Sequence, residues 1–126
     1  MDYEAVINGD GKYIDIHIAG FTIRTDQFKE KAIIGENPTP GKLLYAAVAS
    51  CALSTACGYC TNNDLPLPTG MRVHVEGDIE SIQFEIDLPA DFPEDRIEAL
   101  RRATNACWVK KQWLNPPDFK TTFARK

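Results

Sequence analysis

At the start of the chain apolar residues recur at every second position. Tyr3 to Ile7 reads as a short strand, closed by the turn-forming run Asn8-Gly9-Asp10-Gly11. Lys12 to Ile18 alternates, with Ile14, Ile16 and Ile18 on one face and Asp15 and His17 on the other, the pattern of a half-buried strand. Ala19-Gly20 turns the chain into a third strand, Phe21 to Thr25, so an antiparallel meander is expected. The run from Gly35 to Gly41 holds Pro38 and Pro40, which remove donors and fix φ, and is a loop. Thr39 followed by Pro40 predicts the N-cap and first position of a long helix, stopped near Asn62 by Asn62-Asn63-Asp64 and Pro66.

Alternation returns after Pro68-Thr69-Gly70. Met71 to Glu76 and Ile79 to Asp87 predict two strands joined by a hairpin at Gly77-Asp78. Pro93 opens a second helix with Glu94 and Asp95 in its first turn, where acids are favoured. Ile97, Leu100, Thr104 and Cys107 share one face of it at helical spacing. Asn115-Pro116-Pro117 ends that region, and Phe119 to Phe123 predicts a final strand. The order is βββ-α-ββ-α-β, an α+β domain spanning residues 1–126.

The long helix is unusual in content. Leu43 to Cys60 carries no charge and approaches the length of a membrane span, but five alanines with Ser50, Ser54, Thr55 and Gly58 make it only weakly apolar. A helix buried in protein is expected instead. Ala46, Ser50, Ser54 and Gly58 form a ridge of small side chains, with Ala47, Cys51 and Thr55 beside it. Such ridges let a second helix approach closely. Packing against its own copy in a two-fold dimer is expected, the alternative being a monomer that wraps the helix in its own sheets.

Composition narrows the function. A chain of 126 residues, 44% hydrophobic, fits one domain, and a formal charge of -4 gives no basic patch for nucleic acid or an anionic membrane. Met1-Asp2-Tyr3-Glu4 has acid where a secretory signal needs positive charge and an apolar run, so a cytoplasmic protein is expected. The four cysteines then point to redox or metal roles rather than a disulfide scaffold.

Cys51 and Cys107 fall on the apolar elements of two helices. Either is a small buried hydrophobe, inert where burial raises its pKa, or the two meet within the roughly 4.4–6.8 Å between Cα atoms that a disulfide requires. Cys57-Gly58-Tyr59-Cys60 has CxxC spacing but lies late in a helix, without the preceding strand of the redox motif. A zinc site would need further ligands from His17 and His74, both expected to face solvent, so neither metal nor cofactor is expected.

The run Gly35-x-Asn37-Pro38-Thr39-Pro40-Gly41-Lys42-Leu43-Leu44, followed by Ala46-Ala47 and Ser50-Cys51, resembles the loop and central helix of the OsmC/Ohr family. Leu65-Pro66-Leu67 before a strand, and a second helix ending in Cys107 with Val109 beyond it, continue the resemblance from about Tyr3 to Phe123. It implies an intertwined homodimer with central helices packed together. It also implies a cysteine-based hydroperoxide reductase, an antioxidant enzyme acting on organic hydroperoxides and less well on hydrogen peroxide. Cys51 would become a sulfenic acid, Cys107 would resolve it, and an external dithiol would reduce the resulting disulfide.

The pattern is not complete. Gly41 occupies the family's glutamate position, Asp10-Gly11-Lys12 replaces an early arginine, and Trp108 stands where proline commonly follows the second cysteine. Arg24 and Glu36 are the nearest guanidinium and acid to fill the activating or substrate-binding roles. The competing reading is a dimeric, non-enzymatic module enclosing a small apolar ligand, with the cysteines as packing.

Overall fold

A computed structural model describes residues 3–26, 36–76 and 81–125. The chain forms two compact units, Met1–Ala46 and Ala47–Lys126, with one long helix running through the boundary.

In the first unit β1 (Glu4–Asn8), β2 (Tyr13–Ile18) and β3 (Phe21–Asp26) form an antiparallel sheet in that order. Its turns need left-handed backbone. Gly9, Asp10 and Gly11 all have positive φ, and a Cβ on Gly9 would lie 2.7 Å from the Tyr13 ring. The second turn, Ala19-Gly20, has φ of 45° and 89° between the paired residues Ile18 and Phe21. Two positive φ values in a two-residue loop match the twist of the flanking strands. Beyond β3, Asp26 N–H donates to the Pro38 carbonyl at 3.2 Å and Asn37 Nδ2 to Asp26 Oδ1 at 3.1 Å, tying down the proline loop. Thr39 then caps α1 (Pro40–Asn62), its Oγ1 accepting from Lys42 N–H at 3.4 Å, with Pro40 at the first helical position.

α1 ends as its sequence suggests. Asp64 takes a φ of 52°, Asp64 N–H donates to the Thr61 carbonyl and Leu65 N–H to the Cys60 carbonyl. These are the two bonds of a Schellman cap, with Leu65 packed onto the core that contains Cys60. In the second unit β4 (Gly70–Glu76) and β5 (Ser81–Asp87) pair antiparallel, placing Val73 opposite Phe84 and Val75 opposite Ile82. A 3-10 turn, Glu94–Arg96, leads into α2 (Ile97–Asn105), and α3 (Trp108–Leu114) follows. Ala56, Cys60, Phe92 and Leu100 are the buried core of this unit, flanked by Tyr59, Ile86 and Ile97. Burying Phe92 and Leu100 contributes about 1.5–3 kcal/mol each.

Four expectations need correction or qualification. Cys107 does not continue the face of Ile97, Leu100 and Thr104, because the helix stops at Asn105 and Cys107 is extended, with φ -63° and ψ 144°. A second helix starts directly after it. Phe119 to Phe123 forms no strand: the segment pairs with no described strand, and Phe119 and Phe123 are exposed. A strand needs a partner edge for its backbone groups, and among the described residues the segment has found none. Asp15, expected on the solvent face, is buried because Arg24 and Asn8 give its carboxylate partners. α1 is long and apolar enough to cross a membrane by length and composition, with a mean hydropathy of 1.5. The core helix of a globular protein meets the same description, and here α1 buries only the stripe Val48, Ala52, Ala56 and Cys60. The small ridge Ser50, Ser54 and Gly58 stays exposed in the single chain. The Gly77-Asp78 hairpin, Gly35 and Ile79 lie outside the described residues.

Candidate functional site

α1 carries Cys51 in mid-helix, half-buried, with Thr55 one turn on. Thr55 Oγ1 donates to the Cys51 carbonyl at 2.8 Å, which keeps the hydroxyl beside the thiol of the same turn. The break between α2 and α3 brings in the second thiol. Ala106 N–H bonds back to the Ala103 carbonyl, closing α2, and Cys107 turns into extended backbone. Its sulfur accepts Lys110 N–H at 3.4 Å, so Cys107 caps α3 as a serine would. Cys107 is fully buried, and all four cysteines are free thiols.

The two sulfurs share a hydrogen bond and are pushed in opposite directions. Cys51 is pulled below the ordinary thiol pKa, chiefly by the backbone N–H of Val109. Partial burial opposes this, while the Cys107 thiol and Trp108 N–H reinforce it. Donors that bond the charged form favour it, so these groups shift Cys51 toward thiolate. Cys107 is pushed up, first by burial and also by the negative charge and hydrogen bond of Cys51, with Lys110 N–H working against the shift. The two thiols are therefore chemically unequal, Cys51 the more acidic and Cys107 the less, and thiolate is the nucleophilic form.

Arg24 and Glu36 belong to a cluster in the first unit. The Arg24 guanidinium grips Asp15 through Nε at 2.8 Å and Nη2 at 3.0 Å, and lies 4.8 Å from the centre of the Tyr13 ring. The Tyr13 hydroxyl donates to Glu36. Asp15 is held well below the usual carboxylate range by Arg24, then by Asn8. Both side chains thus have partners within the meander, which they brace.

Cys60 sits in the core against Phe92 and Leu100, and burial raises its thiol. His17 shares a 3.2 Å contact with Thr22, and His74 pairs with Glu76 at the surface. Among the described residues no three His, Cys, Asp or Glu side chains gather as a metal set. Sequence reading missed Thr55 and the Trp108 and Val109 amides. The apolar spacing of Val109, Trp113 and Leu114 was a signal for a separate helix beginning at Cys107.

A long helix with a half-buried thiol, met by a buried thiol from a helix break in an α+β frame, defines the class of small two-cysteine α+β proteins. The family model described as OsmC-like protein matches residues 34–122, and the chain belongs to that family. Similar solved structures include an OsmC-like protein from Mycoplasma pneumoniae, with TM-score 0.71, 17% identity, and coverage of 91% of this chain and 87% of that one. A candidate osmotic-stress-induced and detoxification response protein from Psychrobacter arcticus aligns with TM-score 0.68 and 18% identity, covering 87% of this chain and 85% of that one. An OsmC-like hydroperoxide resistance protein from Jannaschia sp. gives 0.52 and 14%, covering 98% and 90%. No curated protein matches the chain significantly. The structural likeness establishes the OsmC-like α+β fold.

Proposed function

We propose that the protein is a thiol-dependent peroxidase that reduces organic hydroperoxides, with Cys51 as nucleophile and Cys107 as resolving thiol. The observation that carries this reading is the hydrogen-bonded pair of free thiols with opposed acidity. The Cys51 thiolate attacks the outer peroxide oxygen, forming an S–O bond as the O–O bond breaks, and the alkoxide leaves and takes a proton as alcohol. The Cys107 thiol, deprotonated as it reacts, displaces hydroxide from the sulfenic acid and water is released. An external dithiol reduces the Cys51–Cys107 disulfide by exchange and is itself oxidised.

The name of the Jannaschia relative supports this substrate class, and the exposed ridge of Ser50, Ser54 and Gly58 supports a homodimer packed through α1. The test is consumption of cumene hydroperoxide with dithiothreitol as donor. Turnover should exceed that with hydrogen peroxide and vanish in Cys51→Ser, and peroxide-treated protein should yield a Cys51–Cys107 linked peptide. Full turnover in Cys51→Ser, or a Cys57–Cys60 link instead, would overturn the reading.

One observation favours the binding-module alternative. A groove of about 350 Å³ lies between β5 and α2, lined by Ile82, Phe84, Ile86, Ile97 and Leu100. Apolar ligand binding that persists in Cys51→Ser, together with a wild type that shows no peroxidase activity, would favour that alternative.

A further inference from the structure

Three side chains of α3, Lys110, Trp113 and Leu114, stand at i, i+3 and i+4, the spacing of one helical face. On β5, Ile82 and Phe84 alternate onto one side of the strand. With Val48 of α1 these residues line a groove of about 290 Å³ within the second unit. An apolar groove calls for apolar residues at all three α3 positions, and the chain has lysine at one. The two neighbouring lysines differ accordingly: Lys111 is exposed, whereas Lys110 is half-buried in the groove wall.

Lys110 has little to neutralise it there. Its Nζ donates to Asn105 Oδ1 at 3.4 Å, a long bond to a neutral amide. The chain holds 18 acidic residues, yet among the described ones none forms an ion pair with Lys110. Arg101, on the adjoining groove between β5 and α2, is already paired with Glu98. A lysine whose stem merely covered apolar surface would carry its head out to water. Here the head turns to Asn105, itself a lining residue of the groove. A cation against apolar walls gives up solvation, and an acid is the partner that restores it.

We infer that this groove is a binding site for an amphipathic carboxylate, held by Lys110 at its anionic head and by Ile82, Phe84 and Trp113 along an unbranched apolar tail. Charge complementarity picks the head: an ammonium has three donors, and the one bond described for this ammonium leaves room for a carboxylate. The tail has room to continue, because Ile82 and Phe84 also line the groove of about 350 Å³ that runs on to Ile86 and Leu100. The site needs no reaction at Cys51 and stands whether or not the protein is a peroxidase.

The experiment titrates the reduced full-length protein by calorimetry at pH 7 with decanoate, below its micellar concentration, and with decanol, which has the same tail and no charge. Decanoate should bind roughly three- to tenfold more tightly than decanol. Lys110→Gln keeps the backbone N–H that bonds the Cys107 sulfur and loses the ammonium. It should erase the preference and leave decanol binding unchanged. Lys111→Gln makes the same change of charge at the exposed neighbour and should keep the preference. Circular dichroism and thermal midpoints check that both variants fold. Equal affinities in the wild type, no binding of either probe, a preference that survives Lys110→Gln, or one lost equally in Lys111→Gln would each overturn the inference. Should Lys110→Gln not fold, methyl NMR of the wild type answers. Decanoate should shift the Val48, Ile82 and Leu114 methyl resonances, and shifts confined to other methyl groups would overturn the inference. None of these measurements uses peroxide. A protein inert to hydroperoxide would sink the proposed function and leave this site standing, and an active peroxidase without the decanoate preference would sink only the site.

Discussion

The Cys107 sulfur stands between two bonds, accepting Lys110 N–H at 3.4 Å and sharing a hydrogen bond with the Cys51 sulfur, while burial first and the charge of Cys51 after it push its thiol up. The cap and the proposed resolving thiol are the same atom, so oxidation that recruits this sulfur should change what begins α3.

Chemistry and folding at Cys107 can be separated for that reason. Serine is among the best N-caps, so Cys107→Ser should keep α3, whereas Cys107→Ala should be about 1 kcal/mol less stable in urea unfolding. Neither variant has a resolving thiol. With peroxide both should accumulate Cys51 sulfenic acid, trapped as a dimedone adduct, where the wild type gives the Cys51–Cys107 disulfide.

The CxxC spacing should prove structural. Cys60 is buried in the core and Cys57 only half-buried. Cys60→Ser places a hydroxyl among apolar side chains and should cost about 1–3 kcal/mol by urea denaturation, while Cys57→Ser should cost much less. Hydroperoxide turnover in the folded fraction should survive both changes.

Asp15 should shape the acid limb of stability. Its folded pKa lies below the unfolded value because Arg24 and Asn8 bond the charged form. The stabilisation is therefore present above about pH 4, the ordinary carboxylate value, and is lost as pH falls through the folded pKa. Asp15→Asn should be less stable at neutral pH and should lose less stability on acidification than the wild type, measured as thermal midpoint against pH.

Ala19 holds a φ of 45° in the β2–β3 turn, where a Cβ crowds the following carbonyl. Ala19→Gly relieves that crowding and loses some chain entropy, with a net gain of about 0.5–1 kcal/mol. Gly9→Ala should do the reverse, because its Cβ would meet the Tyr13 ring. Chemical denaturation of the two variants checks the pair.

Local signals were enough for most of the frame. Thr39-Pro40 at one end of α1 and Asn63-Asp64 with Pro66 at the other marked a helix whose caps form as read. Period-two alternation placed all five described strands, since a sheet face repeats every second residue whatever surrounds it. Cys51 and Cys107 stood out through their setting in the OsmC-like pattern. What failed was whatever depends on residues distant in sequence. Phe119 to Phe123 alternates like a strand, but pairing is decided by a free edge elsewhere. Asp15 alternates like a surface residue, but Arg24 lets it go inside. Helical spacing put Cys107 on a continuous face, and only the folded chain broke the helix there and made Cys107 the cap of the next one. Trp108 in the sequence was a departure from a family pattern. In tertiary structure its main-chain N–H, after that of Val109, is among the groups that lower the Cys51 thiol, because a thiol's acidity is set by whatever the fold brings near it.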